Sequence, residues 1–420
     1  MYVFHFSPAL RLCFMGAICL RPLSAGKDKL SVSSAKPPFD YLCLSMSIQP
    51  PYTLVETQDA LLKLVSLLDP CTEIALDTEA DSMHHFKVRL CLIQITAVGQ
   101  NFIVDPLAGL DLDPLWKSPG MRNLILHGSD YDLRMLNSFF GFVPERVFDT
   151  MIAAKFLGQE RIGLASLVEN QFGEVLSKAN QKADWTIRPL PIDMKQYAIL
   201  DTYFLADIKK KLLEQLEAEG KLAWVEETCA HLILQAKTAP FMEIDEEAWR
   251  IRGSNKLHPD ELVFLKAIFY WREKEAERLD RPPFKVLNPD SMVDLAIECA
   301  YINPDIRPER LPRLPRNFTG ERLNSFMDVL LDAAQVPEEE WPTREKRNRD
   351  RAPSPDSNRL ERYREIRDHI AAEYRIDPTL LANRNALVAL AMPGTPAEKR
   401  QNARCLDWQW NLLAPALGLI

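Results

Sequence analysis

The sequence predicts a mixed-sheet α/β domain followed by two smaller all-helical modules. Short apolar runs rich in β-branched residues cluster between residues 74 and 126, and helical periodicity takes over after Asp149. No convincing strand occurs beyond residue 240. A gapless shift of 95 residues superposes Arg272, Ala276, Pro283, Asn288, Leu295 and Ala296 on Arg367, Ala371, Pro378, Asn383, Leu390 and Ala391. Strands first and helices later, with some interleaving, indicate a sheet packed by helices; similarity at a fixed period marks a repeated unit.

Residues 57 to 69 place Leu61, Leu62, Val65 and Leu68 at helical spacing. The apolar run Ile74-Ala-Leu76 reads as a first strand ending at Asp77. Residues 88 to 96 read as a strong central strand, and Asn101 to Asp105 as its hairpin partner across Val98-Gly-Gln. Asn123-Leu-Ile-Leu is another short buried strand. It runs into polar His127-Gly-Ser-Asp-Tyr-Asp132 and then a helix carrying Leu133, Leu136 and Phe140. Met151 to Leu157 and Leu164 to Phe172 read as helices, and a long helix starts near Asp193. Between the last two lies a loop with Asp184-Trp-Thr-Ile-Arg-Pro-Leu.

At 420 residues the chain is long enough for two or three domains. Hydrophobic residues at 47% and charged ones at 26% match ordinary folded proteins. The net charge of -8 and pI near 5.6 give no general pull toward nucleic acid or anionic membrane, so a phosphate-bearing partner must be met by local basic patches. The eight cysteines form no CxxC pair, which points to free thiols in a reducing compartment, and a cytoplasmic location is expected. No apolar run reaches the roughly 18 to 20 residues of a membrane-spanning helix, and no membrane partner is expected. Residues 1–45 are poor in acids and lack a clear period. They read as an extension before a natural start at Met46, with a targeting peptide as the other reading. The expected division is then 46–235 for the α/β domain, 250–335 and 358–420 for the helical modules, and 336–357 for a linker. Arg344 to Ser357 carries mixed charge, two prolines and almost nothing apolar.

The candidate chemistry starts at Asp77-Thr-Glu79. Side chains at i and i+2 of an extended segment leave one face, so both acids converge just beyond a buried strand. Two further positions lie where secondary structure would aim them. Asp132 opens a helix straight after a strand, although Asp130 competes and could cap that helix. Tyr197 and Asp201 are four apart on one helix face. Hard oxygen ligands from separate elements suit Mg²⁺ or Mn²⁺, and two such ions can drive phosphodiester hydrolysis.

With these residues in order, the chain resembles the Tyr-bearing DEDD 3′-5′ exonucleases, and within them ribonuclease D. The resemblance rests on Asp77-Thr-Glu79 followed by Cys91-Leu-Ile-Gln94, on His127 to Asp132, and on Tyr197-Ala-Ile-Leu-Asp201. Phe148-Asp-Thr150 and Asp184-Trp185 through Arg188-Pro-Leu190 match landmarks outside the metal site. These motifs span residues 50 to 220. The repeat after residue 240 resembles two HRDC domains, the first with Trp271-Arg-Glu273; the second has Ile366 in place of Trp271. The resemblance implies a ribonuclease H-like exonuclease fold and a metal-dependent 3′-5′ exoribonuclease. Its substrates would be single-stranded 3′ ends of structured RNA, tRNA precursors among them, with no obligate protein partner. Asp77, Glu79, Asp132 and Asp201 would hold two Mg²⁺ or Mn²⁺ ions, and Tyr197 would position water. His84, Lys178, Trp185 and Arg188 are candidate RNA contacts by charge and stacking; each has an ordinary alternative as an exposed loop residue or a loop tie. The same chemistry on DNA ends, and a catalytically silent RNA-binding scaffold, are the competing functions.

Overall fold

The computed structural model describes residues 48–238, 246–312, 314–343 and 356–420. The expectations for residues 1–45 and for the linker from Arg344 to Pro355 lie outside the described residues. A six-stranded mixed sheet is built from β1 (Thr53–Val55), β2 (Ile74–Ala80), β3 (Leu90–Ala97), β4 (Gln100–Val104), β5 (Asn123–Leu126) and β6 (Arg146–Asp149) in the order β1-β4-β3-β2-β5-β6. β2, β3 and β4 pair antiparallel, whereas β1 joins β4, and β5 and β6 extend from β2, in parallel.

Alternation along β2 sorts its residues between two layers. Ile74 and Leu76 enter the main core, beneath α1 (Gln58–Leu68), the short α2 (Asp113–Lys117) and α3 (Asp130–Phe140). Ala75 packs instead with Ile125 and Leu205 on the opposite face. Asp77 and Glu79 continue that second face, as period two requires. The strand runs on to Ala80, with a register shift between Glu79 and Ala80, rather than stopping at Asp77. Covering the second face is α6 (Ile192–Tyr203), whose Met194, Ala198 and Ile199 are buried against Leu92 and Ile103. α4 (Thr150–Phe156), α5 (Leu164–Phe172), α7 (Leu205–Ala218) and α8 (Leu222–Thr238) complete the layer set. The expected long helix near Asp193 is two helices, with Phe204 at the join between α6 and α7. β1 and β6 were not expected. They are three and four residues long, too short to show a period of their own.

All regular structure described beyond residue 240 is helical. The first unit holds α9 (Pro259–Arg278), α10 (Pro283–Val286), α11 (Pro289–Ile302) and α12 (Glu321–Ala334), and the second holds α13 (Ser357–Glu373), α14 (Pro378–Leu381), α15 (Arg384–Ala391), α16 (Pro396–Ala403) and α17 (Asp407–Ala416). The repeat is structural: Pro283 and Pro378 each open a short helix. Asn288 and Asn383 each cap the next one by accepting from Ser291 N at 2.8 Å and Ala386 N at 2.9 Å. Asp280 and Arg375, 95 positions apart, both adopt left-handed backbone (φ 45° and 52°).

The two units bury their apolar faces differently. The first has its own core around Trp249, Phe269, Trp271 and Phe326. Trp271 lies 4.6 Å from Phe326 and donates from its indole N–H to Ser325 Oγ at 3.1 Å, so it is a core residue and not an exposed reader. The second unit shares the core of the sheet domain. Trp408 of α17 meets Phe156 at 5.1 Å and stacks on Trp224 at 5.3 Å, and Trp224 meets Tyr374 at 5.2 Å. The Glu227 carboxylate of α8 accepts from the backbone N–H groups of Asp407 and Trp408, supplying a negative charge to the α17 N-terminus. Gly158 (φ 67°) lets the two parts approach, because a Cβ there would lie 2.6 Å from the Arg375 carbonyl oxygen.

Candidate active site

The acids gather at the end of β2 where two layers meet. Asp77 and Glu79 emerge on the α6 side, and Asp201 reaches them from α6 itself: one carboxylate oxygen from each of the three lies within 4.8 Å of the others. Tyr197, one turn earlier on α6, faces the same place. Burial, then the Asp201, Glu79 and Asp77 carboxylates, drive its phenol well above the ordinary range. Trp185 packs behind it with ring centroids 6.0 Å apart. Thr202 fixes the helix to the sheet through a 2.8 Å contact between its hydroxyl and that of Thr96.

Asp132 comes round the strand end from the first turn of α3 and is 8% exposed. The hydroxyl of Thr78, which lies between the two β2 acids and points the other way, donates to Asp132 Oδ1. Asp132 is thus tethered beside the three-acid cluster; burial, then the Asp201 and Asp132 charges, raise the pKa of both Asp77 and Glu79. Asp130 is exposed and pairs with Arg134, while Ser129 occupies the N-cap, which removes Asp130 from the cluster.

The turn carrying Asp132 is built on a single buried carboxylate. Asp149 accepts from Gly128 N (3.1 Å), Ser129 N (2.7 Å), Ser129 Oγ (2.9 Å), Met151 N (2.9 Å) and Ile152 N (3.1 Å). It caps α4 and ties that cap to the start of α3. His127 is held by Thr150 at 2.9 Å, and burial first of all lowers it to about 4. It is a structural neutral imidazole.

Electrostatically the cluster is poised for a cation. Burial is the largest cause raising all four acids: Asp77 and Glu79 go well above the ordinary carboxylate range, Asp132 to about 6 and Asp201 to about 7. Like charges this close and this buried cannot all ionise without a counter-charge. Hard carboxylate donors with no imidazole or thiolate among them fit a divalent ion of the Mg²⁺ or Mn²⁺ kind.

Residues 52–217 match a family of 3′-5′ exonucleases. Over 354 residues the chain is 30% identical to ribonuclease D of Gluconacetobacter diazotrophicus, covering 83% of this chain and 88% of that protein. The chain belongs to the ribonuclease D family. Ribonuclease D of Zymomonas mobilis is 33% identical over 310 residues, covering 72% of this chain and 77% of that one. The crystal structure of Escherichia coli RNase D, described as an exoribonuclease involved in structured RNA processing, superposes with a TM-score of 0.64 at 25% identity. That likeness covers 88% of this chain and 98% of the other. As a member of that family, this chain is a 3′-5′ exoribonuclease, a hydrolase whose family depends on divalent metal.

Two of the candidate RNA contacts are structural. Trp185 is 1% exposed and has no face open to a base. Arg188 places all five of its N–H groups: Nε and Nη2 donate to the two Asp105 oxygens (2.6 and 2.7 Å), Nη2 to Cys91 O (3.1 Å), and Nη1 to Trp185 O and Ile187 O (2.8 and 2.9 Å). Long-range acceptors on β3 and after β4 decide that role, and they are invisible in the local sequence. Lys178 is exposed in the loop before α6, and His84 donates from Nε2 to Lys182 O at 2.9 Å.

Three supporting residues escape a reading of the motifs alone. Thr78 could be suspected only because a hydroxyl sits between two acids. Asp149 is visible as a helix cap but not as the support of Asp132. Gln94 is paired with Asp77 across β3, is 0% exposed, and neither its Oε1 nor its Nε2 has a hydrogen-bond partner. No helix among the described residues is long and apolar enough to cross a membrane.

Proposed function

We propose that the protein trims single-stranded 3′ ends of structured RNA, tRNA precursors included, by hydrolysis at a two-metal site formed by Asp77, Glu79, Asp132 and Asp201. The observation that carries the reading is the convergence of three buried carboxylates within 4.8 Å, with a fourth acid tethered alongside. When bound, two Mg²⁺ or Mn²⁺ ions would activate water and stabilise the leaving 3′ oxygen. The chain's own part is geometric. β2 presents Asp77 and Glu79, Thr78 orients Asp132, α6 delivers Asp201, and Tyr197 holds the water for in-line attack. An oxygen–phosphorus bond forms as the bond to the 3′ oxygen of the shortened RNA breaks, and a nucleoside 5′-monophosphate leaves.

The helical units are the part suited to grip the body of a folded RNA, in keeping with their HRDC-like pattern. The test is a 3′-tailed RNA incubated with Mg²⁺ or Mn²⁺, comparing the wild type with Asp77→Asn and Asp201→Asn. Stepwise release of 5′-nucleotides, lost in both variants and on chelation, is expected. A wild type that shortens no RNA under either metal would sink the enzymatic reading in favour of a scaffold, and a matched DNA oligonucleotide measures selectivity.

A further inference from the structure

The two acid-bearing segments are flanked by separate loops, residues 81–89 leaving β2 and residues 173–191 leading into α6, and a pair of histidines joins these loops. His84 Nε2 donates to Lys182 O at 2.9 Å. His85 Nε2 faces Thr186 Oγ1 at 3.2 Å, while its Nδ1 lies 2.8 Å from Asp280 Oδ2 in the first helical unit. The other Asp280 oxygen accepts from Phe86 N at 3.2 Å, and the Phe86 ring packs on the core of that unit. The base of the loop is closed: Arg89 donates from its backbone N (2.6 Å) and from Nε (2.8 Å) to Asp81, whose side chain is 0% exposed.

We propose that His85 is a positioning residue for the exonuclease reaction, through which the first helical unit holds the Asp77/Glu79 strand and the Tyr197/Asp201 helix in register. The reasoning is mechanical. Asp81 is two residues beyond Glu79, so a loop anchored at Asp81 and His85 fixes where β2 ends. Thr186 lies on the segment that feeds α6, one residue after the Trp185 ring that backs Tyr197. An imidazole bridging Asp280 and Thr186 therefore sets the separation of the two halves of the site from outside it, and Asp280 is the point where the helical unit enters the linkage. Deletion of that unit would then slow bond cleavage itself as well as weaken RNA binding.

The inference rests on the acid-site reading above, and its test separates the two. Full-length variants His85→Ala, Asp280→Gly and the double variant are assayed on a short single-stranded oligoribonucleotide with Mn²⁺, beside Asp77→Asn. Glycine suits the left-handed backbone at 280, so its effect is that of the lost carboxylate. A misplaced catalytic group forfeits orientation, so kcat is expected to fall about tenfold with KM held within about twofold. The double variant should be no slower than His85→Ala, since both changes break one linkage. His85→Asn, which keeps a donor near the Nδ1 position but has none to reach Thr186, should be as slow as His85→Ala. Unchanged kcat in folded variants, or a loss confined to KM for a structured RNA, overturns the proposal while an inactive Asp77→Asn leaves the acid site standing. An active Asp77→Asn overturns both. If His85→Ala does not fold by circular dichroism, Asp280→Gly decides, its carboxylate being 63% exposed.

Discussion

Asp149 accepts both the backbone N–H and the hydroxyl of Ser129, at 2.7 and 2.9 Å, and by that pair of bonds the cap of one helix fixes the first turn of another. Replacing Asp149 by alanine leaves buried N–H groups unpaired, which costs about 2–4 kcal/mol in total, and frees the turn that aims Asp132. Urea denaturation should show that loss, and exonuclease activity should fall further than stability alone explains at a temperature where the variant is folded.

Tyr197→Phe removes one oxygen and leaves the ring against Trp185. Groups that orient a reacting water contribute about 10²-fold or more to rate, so kcat should fall by at least that much. Thermal stabilisation by Mn²⁺ should persist, because the acids are untouched. Loss of that metal shift would place the phenol among the ion's supports instead of beside the water.

Gln94→Leu separates folding from function. A fully buried amide with no partner destabilises the fold by about 1–3 kcal/mol, and a leucine of similar size does not. The variant should therefore melt higher. If the amide serves Asp77, its partner across the strand pair, the same variant should also cleave more slowly and need more metal for half-maximal rate. A higher melting temperature with unaltered kinetics would reduce Gln94 to an unpaired core residue.

His127 gives a pH signature of known sign. In the unfolded chain the ring takes a proton near 6.5, whereas in the fold burial delays this to about 4. Acid therefore favours the unfolded state, and stability present above 6.5 should be lost as pH falls toward 4, about 3 kcal/mol in all. The raised acids act in the opposite direction in metal-free protein. Comparison with His127→Asn, which retains a donor to Thr150, isolates the histidine; identical pH slopes for the two proteins would contradict the assignment.

Trp408→Ala should destabilise the sheet domain as well as the second helical unit. Removing a buried tryptophan costs about 3–5 kcal/mol, and because Trp408 contacts Phe156 and Trp224 across one core, a single cooperative transition should shift. Two separate transitions, only one of them moved, would show that the two parts unfold independently.

The parts of the site legible in the sequence are those set by local spacing. Asp77 and Glu79 share a face because strands alternate, and Tyr197 and Asp201 share one because a helix returns every four residues. Asp132 was legible from its place after a buried strand. Whatever depends on distant partners was not. Arg188 and Trp185 carry the residue types of an RNA contact, yet Asp105, Cys91 and Tyr197 draw them inward. Short β1 and β6 gain their extended form from neighbours and carry too few residues for a pattern. The repeat was legible from its prolines and cap asparagines, while the fusion of its second copy with the sheet domain depends on Trp224 and Phe156, which nothing local marks as its partners.

That fusion bears on the order in which the enzyme is made. A ribosome releases the sheet strands long before α17, so the surface around Phe156 and Trp224 waits uncovered until Trp408 arrives. The nascent nuclease then becomes a finished fold only when its far segment closes over it, and a chain cut short in that segment would expose an aromatic face to quality control before it could meet RNA.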